Sequence, residues 1–225
     1  MNSSRLLIYS LVISLCAVGA GCAWFGTKEH APVEELVATG MDLYNRKKYR
    51  NALETFQNLK EWYPFSKYTS LAELKIADAH YQLEEYEEAI FAYQEFKSLH
   101  PLNEAIPYVI YQVGLCYFDR MDSIDRDQTV VHQALETFQQ LMTQYPESPY
   151  ADKARKHIDE SKKSLAGHEM DVGRFYYKTK HYKGALARFQ GVLNDYPNVG
   201  YDQEARQYID LCQEALEKDK LINFQ

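Results

Sequence analysis

The side chains in this chain best equipped for catalysis are seven histidines and one run of glutamates. His30, His80, His100, His132, His157, His168 and His181 could each ligate a metal or carry a proton. Their spacing contains no His-Glu-x-x-His pair or other zinc pattern. Glu84, Glu85, Glu87 and Glu88 bracket Tyr86 and could act as a base or hold calcium. At a helix-turn position, however, such a cluster reads as a solvated face that complements a helix N-terminus. No glycine-rich phosphate loop and no Gly-x-Ser-x-Gly elbow occurs. The residues therefore point away from an enzyme, and no cofactor or metal is expected. What remains is aromatic: 19 Tyr against 10 Phe and 2 Trp supply flat side chains that can be half buried with a polar tip, which suits binding.

The elements that would position these rings are marked by proline. Tyr63-Pro64, His100-Pro101, Tyr145-Pro146 and Tyr196-Pro197 each close a segment with amphipathic helical periodicity. Proline lacks the amide proton that a helix interior needs, so each pair predicts a helix end. With Pro64 in the proline slot of a 34-residue tetratricopeptide unit, Gly40, Ala52 and Phe56 fall where that repeat packs its two helices together. Pro101 likewise selects Ala77, Ala89 and Tyr93, and Pro197 selects Gly173, Ala185 and Phe189. Pro146 selects Ala134 and Phe138, and brings in Gly114 if eight residues are inserted around residues 121–130. Antiparallel helices approach closely only where Gly or Ala meets the partner and a ring fills the space beside it. The expected fold is an all-α tetratricopeptide-repeat superhelix of about five helical hairpins over residues 33–225. The last one is capping, because terminal repeats need a polar outer face. Residues 202–221, with Ala205, Ile209, Cys212 and Leu216 along one stripe, read as that cap. Surplus residues after Pro146 predict one long or kinked helix over residues 150–180, with Gly167 as the weak point.

In such a superhelix the first helix of each hairpin lines the concave side, and the twelfth position of the unit faces it. Those positions are Tyr44, Tyr81, Phe118 and Tyr177. Either they form a ladder for an extended, aromatic-rich peptide, or they pack between repeats as core. A formal net charge of −7 and the lack of a basic, aromatic-interleaved cluster argue against nucleic acid. The triplet Arg46-Lys47-Lys48 reads as a solvated helix end. Cys116 and Cys212 lie in helical patterns far apart and without metal-ligand spacing; two buried free thiols are expected, with a bridge the alternative.

Arg5, an apolar run over residues 6–18, and then Gly19-Ala20-Gly21-Cys22 follow the order of a secretory signal. The run is shorter than the roughly 20 residues a permanent span needs. Ala20-Gly21-Cys22 resembles the lipobox of bacterial lipoproteins. That resemblance implies a signal peptide over residues 1–21, lipidation of Cys22 and a tether over residues 22–32. The absence of Asp after Cys22 resembles lipoproteins sorted to the outer membrane.

Tyr63-Pro64-Phe65-Ser66-Lys67-Tyr68, Tyr108-Val109-Ile110-Tyr111 with Gly114-Leu115, Asp125-Arg126-Asp127 and Tyr145-Pro146-Glu147-Ser148-Pro149-Tyr150 together resemble the BamD (ComL) lipoprotein family. The resemblance covers the whole mature chain in order. It implies a non-enzymatic, lipid-anchored subunit on the periplasmic face of the outer membrane, within the machinery that assembles β-barrel proteins. Its implied partners are unfolded outer-membrane proteins, the barrel core subunit with its periplasmic domains, other assembly lipoproteins, and the membrane through Cys22. Peptide binding would fall on Tyr63, Phe65 and Tyr68 and, from the groove argument, on Tyr44 and Tyr81, with Phe118 and Tyr177 as further groove positions. Docking of the core subunit would fall on residues 177–216. A periplasmic scaffold resembling the Tol-Pal coordinator is the alternative, although that relative places a coiled coil ahead of its repeats. A glycan-cleaving lipoprotein would require paired carboxylates facing the groove.

Overall fold

The computed structural model describes residues 30–121 and 128–223. The signal peptide, Cys22 and Asp125-Arg126-Asp127 lie outside the described residues. Within them the chain folds as a tetratricopeptide superhelix of four helical hairpins closed by one long final helix. The hairpins are α1 (Val33–Asn45) with α2 (Tyr49–Trp62), α3 (Thr69–Gln82) with α4 (Tyr86–Leu99), α5 (Ile106–Phe118) with α6 (Thr129–Gln144), and α7 (Pro149–Lys178) with α8 (Tyr182–Asp195). The cap, α9, spans Asp202–Asn223.

Each proline pair stops a helix by the same backbone device. Tyr63, His100, Tyr145 and Tyr196 have φ between −128° and −137° and ψ between 54° and 58°, outside the helical region, as expected of a residue preceding proline. The turns inside hairpins use a different one. Lys47, Glu84 and Lys180 adopt left-handed φ of 59°, 60° and 62°. The amide after each donates to a carbonyl five residues back: Lys48 to Leu43 at 2.9 Å, Glu85 to His80 at 3.0 Å and His181 to Tyr176 at 2.8 Å. This is the Schellman closure of a helix C-terminus, built here without glycine. In the third hairpin the insertion predicted from the register falls between Phe118 and Thr129, and among the described residues there no left-handed residue closes α5.

The register positions meet as the spacing requires. Ala52, Phe56, Ala77, Ala89, Tyr93, Ala134, Phe138, Ala185 and Phe189 are all fully buried. A Cβ added at Gly40, Gly114 or Gly173 would lie 2.7, 2.5 or 2.6 Å from the ring of Phe56, Phe138 or Phe189, so only glycine lets each ring enter. Helix α7 runs unbroken through Gly167 for 30 residues, about 45 Å. Its Ile158 and Leu165 belong to the core shared with the second and third hairpins, and its Ala166 and Met170 to the core shared with α8 and α9. One rod thus joins both halves. Neighbouring hairpins are further tied by ion pairs: Arg50 to Glu85, Lys60 to Glu95 at 3.3 Å, Arg120 to Glu87 at 3.0 Å and Arg174 to Glu204 at 2.6 Å.

Candidate functional site

The twelfth-position aromatics are held by the Schellman turns. The carbonyls of Tyr44, Tyr81 and Tyr177 accept the amides of Lys47, Glu84 and Lys180 at 2.9–3.0 Å. Each ring then meets the tyrosine that opens the next helix, edge to face: Tyr44 with Tyr49 at 5.2 Å, Tyr81 with Tyr86 at 5.9 Å and Tyr177 with Tyr182 at 5.6 Å. The recurring Tyr-x4-Tyr is therefore a clasp across the hairpin turn. All three tyrosines remain half-buried. The Tyr81 hydroxyl donates to Asp119 at 2.6 Å, tying the second hairpin to the third. Phe118 turns into the seam between hairpins, 4.6 Å from the His157 ring. Groove and core thus divide these four positions: each ring is partly structural and partly exposed.

A second set of side chains, not selected by the twelfth-position argument, completes the inner surface. Asp78 of α3 is almost wholly buried. One of its carboxylate oxygens accepts the hydroxyls of Tyr93 and Tyr108, both at 2.7 Å, and the other accepts Lys75 Nζ at 2.7 Å. Gln112 donates to the Tyr93 hydroxyl at 3.2 Å. Lys75 Nζ also lies 4.7 Å from the centre of the Tyr44 ring, a cation–π contact. On the other side, Tyr108 meets Tyr150 of α7 at 5.4 Å, Tyr150 meets Tyr111 at 5.6 Å, and the Tyr111 hydroxyl lies 3.2 Å from His157 Nε2. The result is a continuous strip, Tyr44–Lys75–Tyr108–Tyr150–Tyr111–His157, along the first helices of all four hairpins. An open hollow of about 540 Å³ lies against it, lined by Leu74, Lys75, Asp78, Glu104, Ala105, Tyr108 and Tyr150.

Burial sets the proton chemistry of the strip. It raises the hydroxyl pKa of Tyr44, Tyr81, Tyr93, Tyr108 and Tyr111 above the usual value of 10.0, with Asp78 or Asp119 adding to the rise, so these rings stay neutral donors. Burial likewise lowers the His157 pKa from 6.5, against the pull of Glu160 and Asp119, which favours neutral imidazole at neutral pH. The Cys116 thiol is pushed up to about 12 by burial and by Asp119. Cys116 and Cys212 are both buried and free, and a protonated thiol is a poor nucleophile. Together these groups offer flat apolar area, hydroxyl oxygens able to accept a hydrogen bond, and the Lys75 and Lys153 ammonium groups over the Tyr44 and Tyr150 rings, the equipment for holding an aromatic-rich extended segment.

The first inter-repeat turn lies elsewhere. Tyr63, Phe65 and Tyr68 sit where α2 hands over to α3, separated from Tyr81 by the length of α3, about 20 Å. The Tyr63 hydroxyl donates to the Ala31 carbonyl at 2.9 Å, and Trp62 stacks on His30 at 3.9 Å, so this turn pins the incoming N-terminal segment. Tyr68 packs against the first hairpin's core. Phe65 alone is fully exposed. The structure thus brings Tyr44 together with Tyr108 and Tyr150, and leaves Tyr63, Phe65 and Tyr68 on another edge. Tyr108 and Tyr111 were detectable by spacing: they precede Phe118 by ten and seven residues and share its helical face.

A family model described as an outer membrane lipoprotein, YfiO, matches residues 29–223. Curated relatives named outer membrane protein assembly factor BamD show the same likeness over most of the chain. The one from Caulobacter vibrioides is 33% identical over 86% of this chain, which spans 65% of that relative's length. The one from Rickettsia prowazekii is 32% identical over 91% of this chain and 82% of its own, and the one from Neisseria meningitidis serogroup B is 29% identical over 94% and 85%.

Proposed function

The chain belongs to the YfiO family of outer membrane lipoproteins, and from that premise we propose that it is a non-enzymatic adaptor in outer-membrane protein assembly. In this reading Cys22 carries the lipid that holds the chain on the periplasmic face of the outer membrane, and the tether of residues 22–32 leads into the repeat domain. The inner strip of the first three hairpins and the start of α7 receives an extended, aromatic-rich segment of an unfolded barrel protein. Residues 177–216, at the C-terminal end of α7 and on α8 and α9, dock the barrel core subunit, and other assembly lipoproteins join the same complex.

The observation that carries the reading is the strip itself. Tyr108, held by Asp78, packs edge to face on Tyr150, and both line the hollow together with Lys75. Rings fixed in this way present area at little entropic cost, and their hydroxyls can meet a peptide backbone. The names of the relatives favour assembly over the envelope-scaffold alternative. A photo-crosslinker placed at Tyr150 or at Tyr81 should capture unfolded barrel proteins. A folded protein that captures none at either position, while still co-purifying with a barrel subunit, would remove the groove assignment and leave the docking role standing.

A further inference from the structure

Two inter-repeat turns carry an apolar residue at their tip, directly after the proline. Phe65 and Leu102 are 100% and 99% exposed, and Leu99, at the end of α4, is 56% exposed. The equivalent positions of the third and fourth turns are Glu147 and Asn198. The residue before the proline has the same backbone conformation in all four turns, but at the tip itself Asn198 is left-handed, with φ of 64°, whereas Phe65, Leu102 and Glu147 are not. Antiparallel packing places the ends of α2 and α4 on the same edge as the start of α1, where the chain enters the domain. Entry is fixed there by His30 on Trp62 and by Ala31 on Tyr63, two residues before Phe65. The fourth turn is set back from this edge, lying against residues 159–163 in the middle of α7.

We propose that Phe65 and Leu102 insert into the phospholipid surface to which the chain is tethered, so that this edge of the superhelix rests on the membrane. The inference depends on lipidation of Cys22. From Cys22 to His30 is eight residues, a reach of less than about 30 Å even when fully extended, so the lipid cannot leave the entry edge far from the bilayer. A large apolar side chain standing wholly in water gains by entering the headgroup–acyl boundary. Lys67, exposed beside Phe65, is placed to meet a lipid phosphate while the ring goes deeper. Apolar tips occur on the two turns nearest the tether; the third tip, farther along the same edge, is Glu147, and the fourth is set back. The strip touches this edge at Tyr108 and Tyr150, beside Glu104 and Ala105, and runs away from it through Lys75 to Tyr44, which leaves the groove open on that side.

The test uses the full lipidated chain reconstituted into phosphatidylcholine vesicles, with single cysteines at Phe65→Cys, Leu102→Cys, Glu147→Cys and Asn198→Cys. Each carries an environment-sensitive fluorophore, with nitroxide lipids as quencher; the native Cys116 and Cys212 are buried. The labels at 65 and 102 should brighten several-fold and be quenched by the nitroxide lipids, while those at 147 and 198 stay as in water. Equal signals at all four positions, or water-like signals at 65 and 102 on chains that float with the vesicles, would overturn the proposal and leave the anchor intact. Failure of the unlabelled chain to float, or flotation undiminished by Cys22→Ala, would overturn the anchor reading and this inference with it.

Discussion

Replacing Asp78 by alanine tests whether the strip is held by one buried carboxylate. The substitution leaves the Tyr93 and Tyr108 hydroxyls and the Lys75 ammonium without the acceptor that each reaches at 2.7 Å. Tyr93 keeps Gln112 as a donor to its oxygen, but its own proton loses its partner. Hydrogen bonds to a charged group contribute about 1.5–3 kcal/mol each, and breaking a buried pair from one side costs about 3–5 kcal/mol. The contributions are not additive, so the expected loss is about 3–5 kcal/mol. At about 2–4 °C per kcal/mol for a domain of this size, the melting temperature should fall by roughly 10 °C. Asp78→Asn keeps an acceptor for both hydroxyls but not the charge facing Lys75, and should cost less, about 1–2 kcal/mol. Tyr108→Phe removes a single donor to the carboxylate and should cost about 1.5–3 kcal/mol; in a double-mutant cycle with Asp78→Ala the two losses should overlap. Calorimetry and urea titration read both quantities. If Asp78→Ala melts within about 2 °C of the parent, or the cycle shows no coupling, the carboxylate is not what positions Tyr108.

Gly114→Ala drives a Cβ to 2.5 Å from the buried Phe138 ring, and overpacking of about 1–3 kcal/mol should outweigh a helix-propensity gain of about 1 kcal/mol; urea midpoints should drop. Gly191→Ala, whose Cβ meets only the Asp195 carboxylate at 3.8 Å, should instead stabilise by up to about 1 kcal/mol. Lys47→Gly should also stabilise, by about 0.5 kcal/mol, since it relieves a left-handed residue at some cost in unfolded-chain entropy. The raised tyrosine pKa values contribute stability that is complete below pH 10 and lost above it, because the unfolded chain ionises first. Melting temperature should therefore fall beyond pH 10, and absorbance titration of the native protein should show a group of tyrosines ionising late. His157, with its pKa lowered, contributes stability present above 6.5 that is lost as pH falls through its folded value. His157→Gln should flatten that acid limb of the melting curve.

The features legible in the sequence were those enforced by a single residue acting on its own neighbourhood. A proline must end its helix wherever the chain goes, so Tyr63-Pro64 and its three counterparts fixed the helix ends. A glycine facing a ring sixteen residues on fixed Gly40 against Phe56 and Gly173 against Phe189, because one hairpin contains both partners. The strip was not legible in this way, since the contacts that carry it from one repeat to the next join different hairpins: Tyr108 reaches Asp78 across 30 residues and Tyr111 reaches His157 across 46. Asp78 looks like a solvated helix residue until a tyrosine from the next repeat is seen to cover it. The same locality explains why Phe65 was grouped with Tyr63 and Tyr68. The three are adjacent in sequence, but the turn sends Tyr63 toward Ala31, Tyr68 into the core and Phe65 into solvent. A family stretch can therefore hold three separate tasks within six residues. Substituting Phe65 alone should leave folding and the groove untouched while changing how the chain meets its membrane, whereas Tyr63→Phe should loosen the entry of the tether.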